Sequence, residues 1–468
     1  VAFSIDRSAT SPVFEQICTA IRGQIGSGIL AAGAKLPPTR VLATELGVSR
    51  STIVTAYEQL VAEGYLQSKQ GSGFSVSLMG DVELKAPEKP APTHDKSGVQ
   101  DETPLMPFQG GLPDMRIFPY QQWAKIVSRV CRTNPRAMLG GSGDLGNFEL
   151  RRAVASHVSE WRGIEASPQQ IIITAGATDA MEFCLRTLAT SGDRLALENP
   201  GYPPVRKFAA TLGLLPTFMA IDESGAVPPE NRSLDEASPK LAVLTPSHQY
   251  PLGGAMAPSR RMEFIQWAER HDGWIIEDDY DSEFRYAGRP IPAMAGFDRL
   301  NRTIYIGSFS KIFSNTLRLG YLILPLPLVE TFRRSMAGLG VRASLMPQQA
   351  LAEFILNGEF YRHIRRVRRV YGERRRYLLD RLAGEFSDFG QVTDHQSGMQ
   401  VVFHLKDGLN DVAISQAAKA QGVTTLPLST FCVDQGAYNG LVLGFCGFDE
   451  LELSGGLKAL KQVLSAHH

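Results

Sequence analysis

The sequence predicts a multidomain α/β chain, and three observations predict it. From Ile171 onward six short apolar runs alternate with segments of helix length: Ile171–Thr174, Leu195–Leu197, Leu241–Thr245, Trp274–Ile276, Thr303–Ile306 and Tyr321–Leu324. Strands that are apolar throughout belong to a mostly parallel sheet covered on both faces, whose site lies at the strands' carboxyl ends. Before residue 79 a different pattern, of three short helices and two short strands, fits a module of its own. Between them, residues 79–106 carry Pro87, Pro90, Pro92 and Pro104 and many charges without an apolar period, the composition of an extended linker. The expected domains are therefore residues 1–78, a linker over 79–106, and 107–468, the last with a small α+β part from about 345 to 468.

Of 468 residues, 43% are apolar and 21% charged, which is an ordinary globular composition with room for two or three domains. Because 48 Lys+Arg balance 48 Asp+Glu, any nucleic-acid role has to rest on a local surface. Cys18, Cys131, Cys184, Cys432 and Cys446 are scattered and never spaced Cys-x-x-Cys, so they read as buried thiols of a reducing cytoplasm. No apolar run opens the chain, and the longest, Gly320 to Val329, is broken by Pro325 and Pro327. Neither a signal peptide nor a membrane span is expected.

At the N-terminus, Phe14, Ile17, Cys18, Ile21 and Ile25 form the stripe of an amphipathic helix ending near Gly26–Gly28. Thr39 can cap a short helix to Leu46, Gly47 can end it, and Ser49 can cap another that runs through Glu63. That is a helix-turn-helix, with the second helix as the reader. Gly64-Tyr65-Leu66 and Phe74-Ser75-Val76, around the Gly-rich stretch 67–73, read as a two-stranded wing. The recognition surface would be the first turn of the reader, Arg50, Ser51 and Thr52, assisted by Arg40, Lys69 and the Gly71 backbone. Residues 1–78 hold six Lys/Arg against five Asp/Glu, a thin electrostatic footprint, and a small protein-interaction module fits the pattern as well.

The later motifs cluster at strand ends. Thr303–Ile306 leads through Gly307, Ser308 and Ser310 to Lys311, and a lysine drawn partly out of water has a lowered pKa and a free amine for an aldehyde. Arg318 can supply a fixed cation for a phosphate that the serines also suit. Gly176-Ala177-Thr178 opens a helix after the first strand, so its N–H groups can hold the same phosphate. Asp278 follows the fourth strand, where a carboxylate can face a protonated pyridine nitrogen and Tyr280 a phenolic oxygen. Together these suggest pyridoxal 5′-phosphate (PLP). Singly, Ser-x-Ser-Lys is more often a solvated loop, and the acidic stretch Glu277–Asp281 a metal site or a turn.

Residues from about Pro12 to Val76 resemble the winged helix-turn-helix of the GntR superfamily, through Lys35–Arg40, Leu46–Thr52 and Leu60–Leu66, although Pro38 stands where serine is usual. The remainder resembles the fold type I aminotransferases, and the whole resembles the MocR/GabR-type regulators that fuse the two. The resemblance implies double-stranded operator DNA as a partner, a homodimer, and PLP joined to Lys311 as a Schiff base. Asp278 would meet the pyridine nitrogen, Tyr280 the ring hydroxyl, and Tyr202 would stack on the ring. Gly176, Ala177, Thr178, Ser308, Ser310 and Arg318 would form the phosphate cup. Gly146 through Ala153 also matches the aminotransferase pattern. No metal is implied.

Three positions depart from that pattern. Gln249-Tyr250-Pro251-Leu252-Gly253 replaces Asn-Pro-x-Gly, Gly141 takes a tyrosine's place, and Val442 stands where an arginine would clamp a substrate carboxylate. The expected function is a PLP-dependent regulator sensing a small amine or PLP itself. The alternatives are a working aminotransferase with an accessory DNA-binding module and a sensor whose only ligand is PLP. Nine arginines between Arg362 and Arg381 lie on a segment with a helical apolar stripe, either a plain surface helix or a second patch facing DNA.

Overall fold

The computed structural model describes residues 3–9, 11–69, 73–77, 105–134, 143–229, 238–288, 291–340, 343–434, 436 and 438–467. Gly71 and Gly141, and the linker apart from its last two residues, lie outside them. The chain divides into two compact units, Val1–Thr103 and Pro104–His468.

The first unit contains α1 (Val13–Gly26), α2 (Thr39–Leu46), α3 (Arg50–Ala62) and a hairpin of β1 (Leu66–Lys69) and β2 (Gly73–Val76). Its core joins Ile17, Cys18 and Ile21 of α1 to Leu42 of α2, Ile53, Ala56, Tyr57 and Leu60 of α3, and Leu66 and Val76 of the wing. Each such aliphatic side chain contributes roughly 1.5–3 kcal/mol on burial, so the apolar stripe, not the half-exposed Arg22–Glu63 ion pair, holds the helices. Tyr57 donates to Pro37 O at 3.0 Å and packs edge-on against Phe74, which ties α3 to the wing. Gly47 ends α2 in the left-handed conformation at φ 63°, as the turn requires. Thr39 does not cap α2: it is the first helical residue, and Pro38 at ψ 141° holds the cap position without a side-chain bond.

The second unit opens with α4 (Tyr120–Thr133) and α5 (Phe148–Arg162). There follow β3 (Ile171–Thr174), α6 (Ala177–Leu188), β4 (Arg194–Asn199), α7 (Pro203–Thr211), β5 (Leu215–Asp222), β6 (Gly225–Ala226), β7 (Leu241–Leu244), α8 (Pro258–Arg270), β8 (Trp274–Asp279), α9 (Met294–Phe297), β9 (Thr303–Ser308) and β10 (Gly320–Ile323). These strands form one sheet in the order β3-β10-β9-β8-β7-β4-β5-β6. From β9 to β5 all neighbours are parallel, while β10 runs antiparallel to both β9 and β3. The reversal has a steric reason: only the short Phe309–Leu319 segment joins β9 to β10, without a crossover helix.

The chain continues through α10 (Leu326–Leu339), α11 (Met346–Leu356) and the long α12 (Glu359–Glu385). A second sheet follows, with β11 (Gly390–Val392), β12 (Gln400–Leu405), α13 (Asp411–Ala420), β13 (Leu426–Pro427), β14 (Gly440–Gly444) and α14 (Glu450–His467), in the order β11-β12-β14-β13. On α12 the stripe Phe360, Ile364, Val367, Tyr371 and Leu378 is buried. So are two arginines that belong to the interior: Arg374 pairs with Asp114 at 2.7 Å, and Arg375 with Asp394. Arg362, Arg365, Arg366, Arg369 and Arg376 are exposed. Four cysteines are buried as expected, but Cys131 on α4 is exposed, and all five are free. Among the described residues no helix is long and apolar enough to cross a membrane, and no group of three or more His, Cys, Asp or Glu is placed to hold a metal ion.

Candidate functional site

A cavity of about 490 Å³ lies at the carboxyl ends of the parallel strands. Every residue that the resemblance assigned to the cofactor lines it: Gly176, Ala177 and Thr178 from the start of α6, Tyr202 before α7, and Asp278 and Tyr280 at the end of β8. Ser308, Ser310, Lys311 and Arg318, from the end of β9 and the segment after it, complete the set.

Local structure explains their placement. In β9, Ile304, Tyr305 and Ile306 are all buried, so the strand is fixed in the core and releases the chain at Ser308. The Lys311 amine donates to Gly111 O at 3.0 Å. Gly111 lies at φ +72°, a conformation L side chains rarely adopt, and a Cβ there would also stand 2.6 Å from that amine, the movable end of the lysine. Burial lowers the Lys311 pKa, and Asp281 and Asp278 oppose the shift only in part. The free amine is therefore more available than on a surface lysine.

Alternation along β8 separates three carboxylates. Glu277 faces away from the cavity and accepts from the N–H groups of Met294 and Ala295 at 2.9 and 2.8 Å. Asp279 pairs with Arg162 at 2.8 Å and accepts from the Tyr305 hydroxyl at 2.5 Å. Asp278 alone faces the cavity, and its buried Oδ1 has no hydrogen-bond partner among the described residues. Burial first, then Asp279 and Asp281, pushes its pKa up to about 7. An unpartnered carboxylate oxygen is costly in such a place, and a protonated ring nitrogen is the kind of donor it fits.

At the opposite end, Gly176 caps α6 at φ 100° with no side-chain bond to the first turn. Ser310 N–H donates to Ser308 Oγ at 3.2 Å, which orders the two serines. Arg318, exposed and at φ 46°, has no hydrogen-bond or ion-pair partner among the described residues. Helix N–H groups, hydroxyls and one unspent guanidinium fit a phosphate.

Sequence reasoning missed other parts of the wall. Tyr250 lines the cavity and meets Tyr202 edge-on at 5.5 Å. Its loop is held by Gln249, which donates to Pro200 O at 2.9 Å and Tyr250 O at 2.8 Å. Asp281 and Gln400 also line it. Gln249 and Tyr250 had been marked as a departure from Asn-Pro-x-Gly, which was the available signal for the loop. Val442 is not on the wall; it is 1% exposed in β14 and packs in an apolar cluster with Val402, Leu428 and Phe431 against Tyr250. Among the described lining residues only Lys311 and Arg318 are basic.

In the first unit, Ser49 caps α3, accepting from Thr52 N–H at 3.1 Å, and its hydroxyl lies 2.7 Å from those of Ser51 and Thr52. Arg40, Arg50, Ser51 and Lys69 are exposed and Thr52 is half-buried. Arg7, which the sequence did not single out, donates to Gly47 O at 2.8 Å in the turn between α2 and α3.

The fold and the cavity define the class: a winged helix-turn-helix unit and a unit of the aminotransferase fold in one chain. Residues 14–76 match the gntR family of bacterial regulatory proteins, and residues 120–439 match the class I and II aminotransferases. The chain is 35% identical to the probable rhizopine catabolism regulatory protein MocR of Rhizobium meliloti, over 99% of this chain and 96% of that protein. It is also 35% identical to the pyridoxine biosynthesis transcriptional regulator PdxR of Corynebacterium glutamicum, over 96% and 95% respectively. The Pyrococcus horikoshii kynurenine aminotransferase structure superposes with a TM-score of 0.71 at 24% identity, over 77% of this chain and 91% of that one, a likeness of fold. The chain belongs to the family of gntR-type, helix-turn-helix transcriptional regulators of the MocR and PdxR kind, which carry an aminotransferase-like domain.

Proposed function

We propose that this regulator holds PLP in the second-unit cavity, senses a small amine or PLP itself there, and binds double-stranded operator DNA through the first turn of α3. It works in the cytoplasm as a homodimer. The observation that carries the cofactor reading is the buried, unpartnered Asp278 Oδ1 on the same cavity as the Lys311 amine. PLP supplies an aldehyde carbon that an amine can capture. The chain's own residues do the rest: Lys311 offers an amine whose pKa burial lowers, Asp278 would hold the ring nitrogen protonated, and Tyr202 would cover the ring. The α6 terminus, Ser308, Ser310 and Arg318 bind the phosphate. Arg50 and Arg40 would meet base edges and phosphates, and Lys69 with the Gly71 backbone would track the DNA backbone.

The cavity lining supports sensing over turnover. Catalysis needs the bound amine fixed in one orientation, commonly by a carboxylate clamp; Val442 stands off the wall, and with Arg318 assigned to the phosphate no second guanidinium is among the described lining residues. Regulation needs only different affinities for two conformations. PdxR is named for pyridoxine biosynthesis, which supports PLP as one ligand to test. Little or no transamination of common α-amino acids is expected. The deciding experiment is an absorption spectrum of the purified chain with added PLP: a visible band is expected in the wild type and none in Lys311→Ala. A wild-type spectrum without the band overturns the cofactor reading.

A further inference from the structure

Behind the tyrosine that faces the cavity lies a buried pair of side chains. His248, on the loop after β7, is 4% exposed, and Asp281, just past β8, is 2% exposed. The imidazole Nδ1 stands 2.9 Å from Asp281 Oδ2, 3.1 Å from Oδ1, and 2.9 Å from the Tyr280 hydroxyl. One ring nitrogen thus meets a carboxylate and a phenol at once. A carboxylate accepts and does not donate, so a bare Nδ1 lone pair would be repelled by it, and the proton of the imidazole sits on Nδ1. That N–H is shared with the Tyr280 oxygen, and Nδ1 has no lone pair left to receive the phenolic hydrogen. Among the described residues the Tyr280 hydroxyl has no other hydrogen-bond partner, and the cavity it lines is the open direction.

Packing fixes the ring that sets this direction. Gly398, at φ +86°, lies so close that a Cβ there would stand 2.1 Å from His248 Cε1. Gly398 is itself tied on both sides, its N–H donating to Phe284 O at 2.8 Å and its carbonyl accepting from the Tyr286 hydroxyl at 2.8 Å. His395 and Arg375 face the other edge of the imidazole, around a small separate cavity. No hydrogen bond from either to the His248 ring is present among the described residues. Burial, with Asp281 alongside, holds the Tyr280 phenol well above its ordinary value, so it keeps its hydrogen across the neutral range.

We propose that His248 and Asp281 are positioning residues that fix the Tyr280 O–H as a donor into the cavity, aimed at an anionic oxygen on the aromatic ring bound there. This rests on the reading that PLP fills the cavity, where that oxygen is the ring's phenolic one. A donor fixed on it withdraws negative charge, weakens its hold on the neighbouring proton, and lowers the pH at which the bound chromophore loses that proton.

The test is a spectral pH titration of the full-length protein loaded with PLP, comparing two amides at position 248. In His248→Asn the amide N–H can stand near the place of Nδ1, whereas His248→Gln moves it to the place of Nε2. Tyr280→Phe and His248→Gln are each expected to raise the midpoint by about one pH unit, and His248→Asn to stay near the wild type. Because the two groups act in series, the Tyr280→Phe/His248→Gln double variant should move no further than Tyr280→Phe alone. A band that titrates at the wild-type midpoint in His248→Gln while Tyr280→Phe moves it overturns the positioning role. So does a double variant whose shift is the sum of the two. A wild-type protein with no band at all is a different failure, that of the cofactor reading itself.

Discussion

The first turns of α3 and α6 use the same physical device and differ in what surrounds it. Both present the unpaired N–H groups and the partial positive charge of a helix N-terminus. At α3, Ser49 takes up one N–H, its hydroxyl joins those of Ser51 and Thr52, and the turn stands in solvent beside Arg50. At α6, Gly176 claims none, Asp179 takes only the N–H of Ala175, ahead of the helix, at 2.8 Å, and Ser308, Ser310 and Arg318 share the cavity with Gly176. An open terminus with its cap in place suits a long polyanion that contacts it along one side. An enclosed, uncapped one suits a single small dianion. On the function proposed above, the difference separates a reader of DNA from a holder of cofactor within one chain.

Arg318→Ala should show the largest effect that sharpens this contrast. Losing a charged hydrogen bond to phosphate, roughly 1.5–3 kcal/mol, should weaken PLP binding by about tenfold to more than a hundredfold in a spectral titration. Unchanged affinity would mean that the enclosed terminus is not a phosphate cup. On the open side, Arg50→Ala is expected to cost roughly 1–3 kcal/mol of operator affinity in a gel-shift or anisotropy titration, with PLP binding untouched. Equal binding at every salt concentration would move the reader elsewhere.

A third prediction concerns two buried carboxyl groups, Asp278 on the cavity wall and Glu198 behind it. Burial raises Asp278 from 3.8 to about 7, and Glu198, buried beside Thr245, from 4.5 to about 7. Both folded values exceed the unfolded ones, so the folded chain binds more protons between about pH 4 and 7. The contribution of these groups to stability is therefore present at low pH and lost as pH rises through that window. Thermal melts of the PLP-free protein should fall across it, more steeply than those of the loaded protein, in which a ring cation offsets the Asp278 charge. Identical slopes would argue against that pairing. The smallest effect belongs to the cap: Ser49→Ala should lower the stability of the first unit by about 1 kcal/mol in denaturant melts.

Much of the fold and of the site is legible in the sequence, for local reasons. Amphipathic spacing gave α1, an N-cap serine gave the start of α3, and uniformly apolar runs gave the central strands. β5 and β6 were not read, because β5 begins with exposed Leu215 and Pro216 at the sheet margin and β6 has two residues. The antiparallel turn of β10 depended on connection length, not on composition. In the site, residues within a motif were found from the motif. Gly111, 200 residues from Lys311, carries no local mark of the amine it receives. His248 and Asp281 likewise signal nothing singly; their meaning lies in a 2.9 Å separation that only the fold creates.

Gly111 stands seven residues after Pro104, where the second unit begins. Seven residues of fully extended chain span at most about 25 Å. Within that stretch the chain is held to the second unit by more than the lysine: Thr424 N–H donates to Pro107 O at 3.0 Å, Gly444 N–H donates to Phe108 O at 2.8 Å, and Phe108 is fully buried. The carbonyl that receives the amine is therefore placed by bonds of its own, and its position does not depend on whether the amine is there.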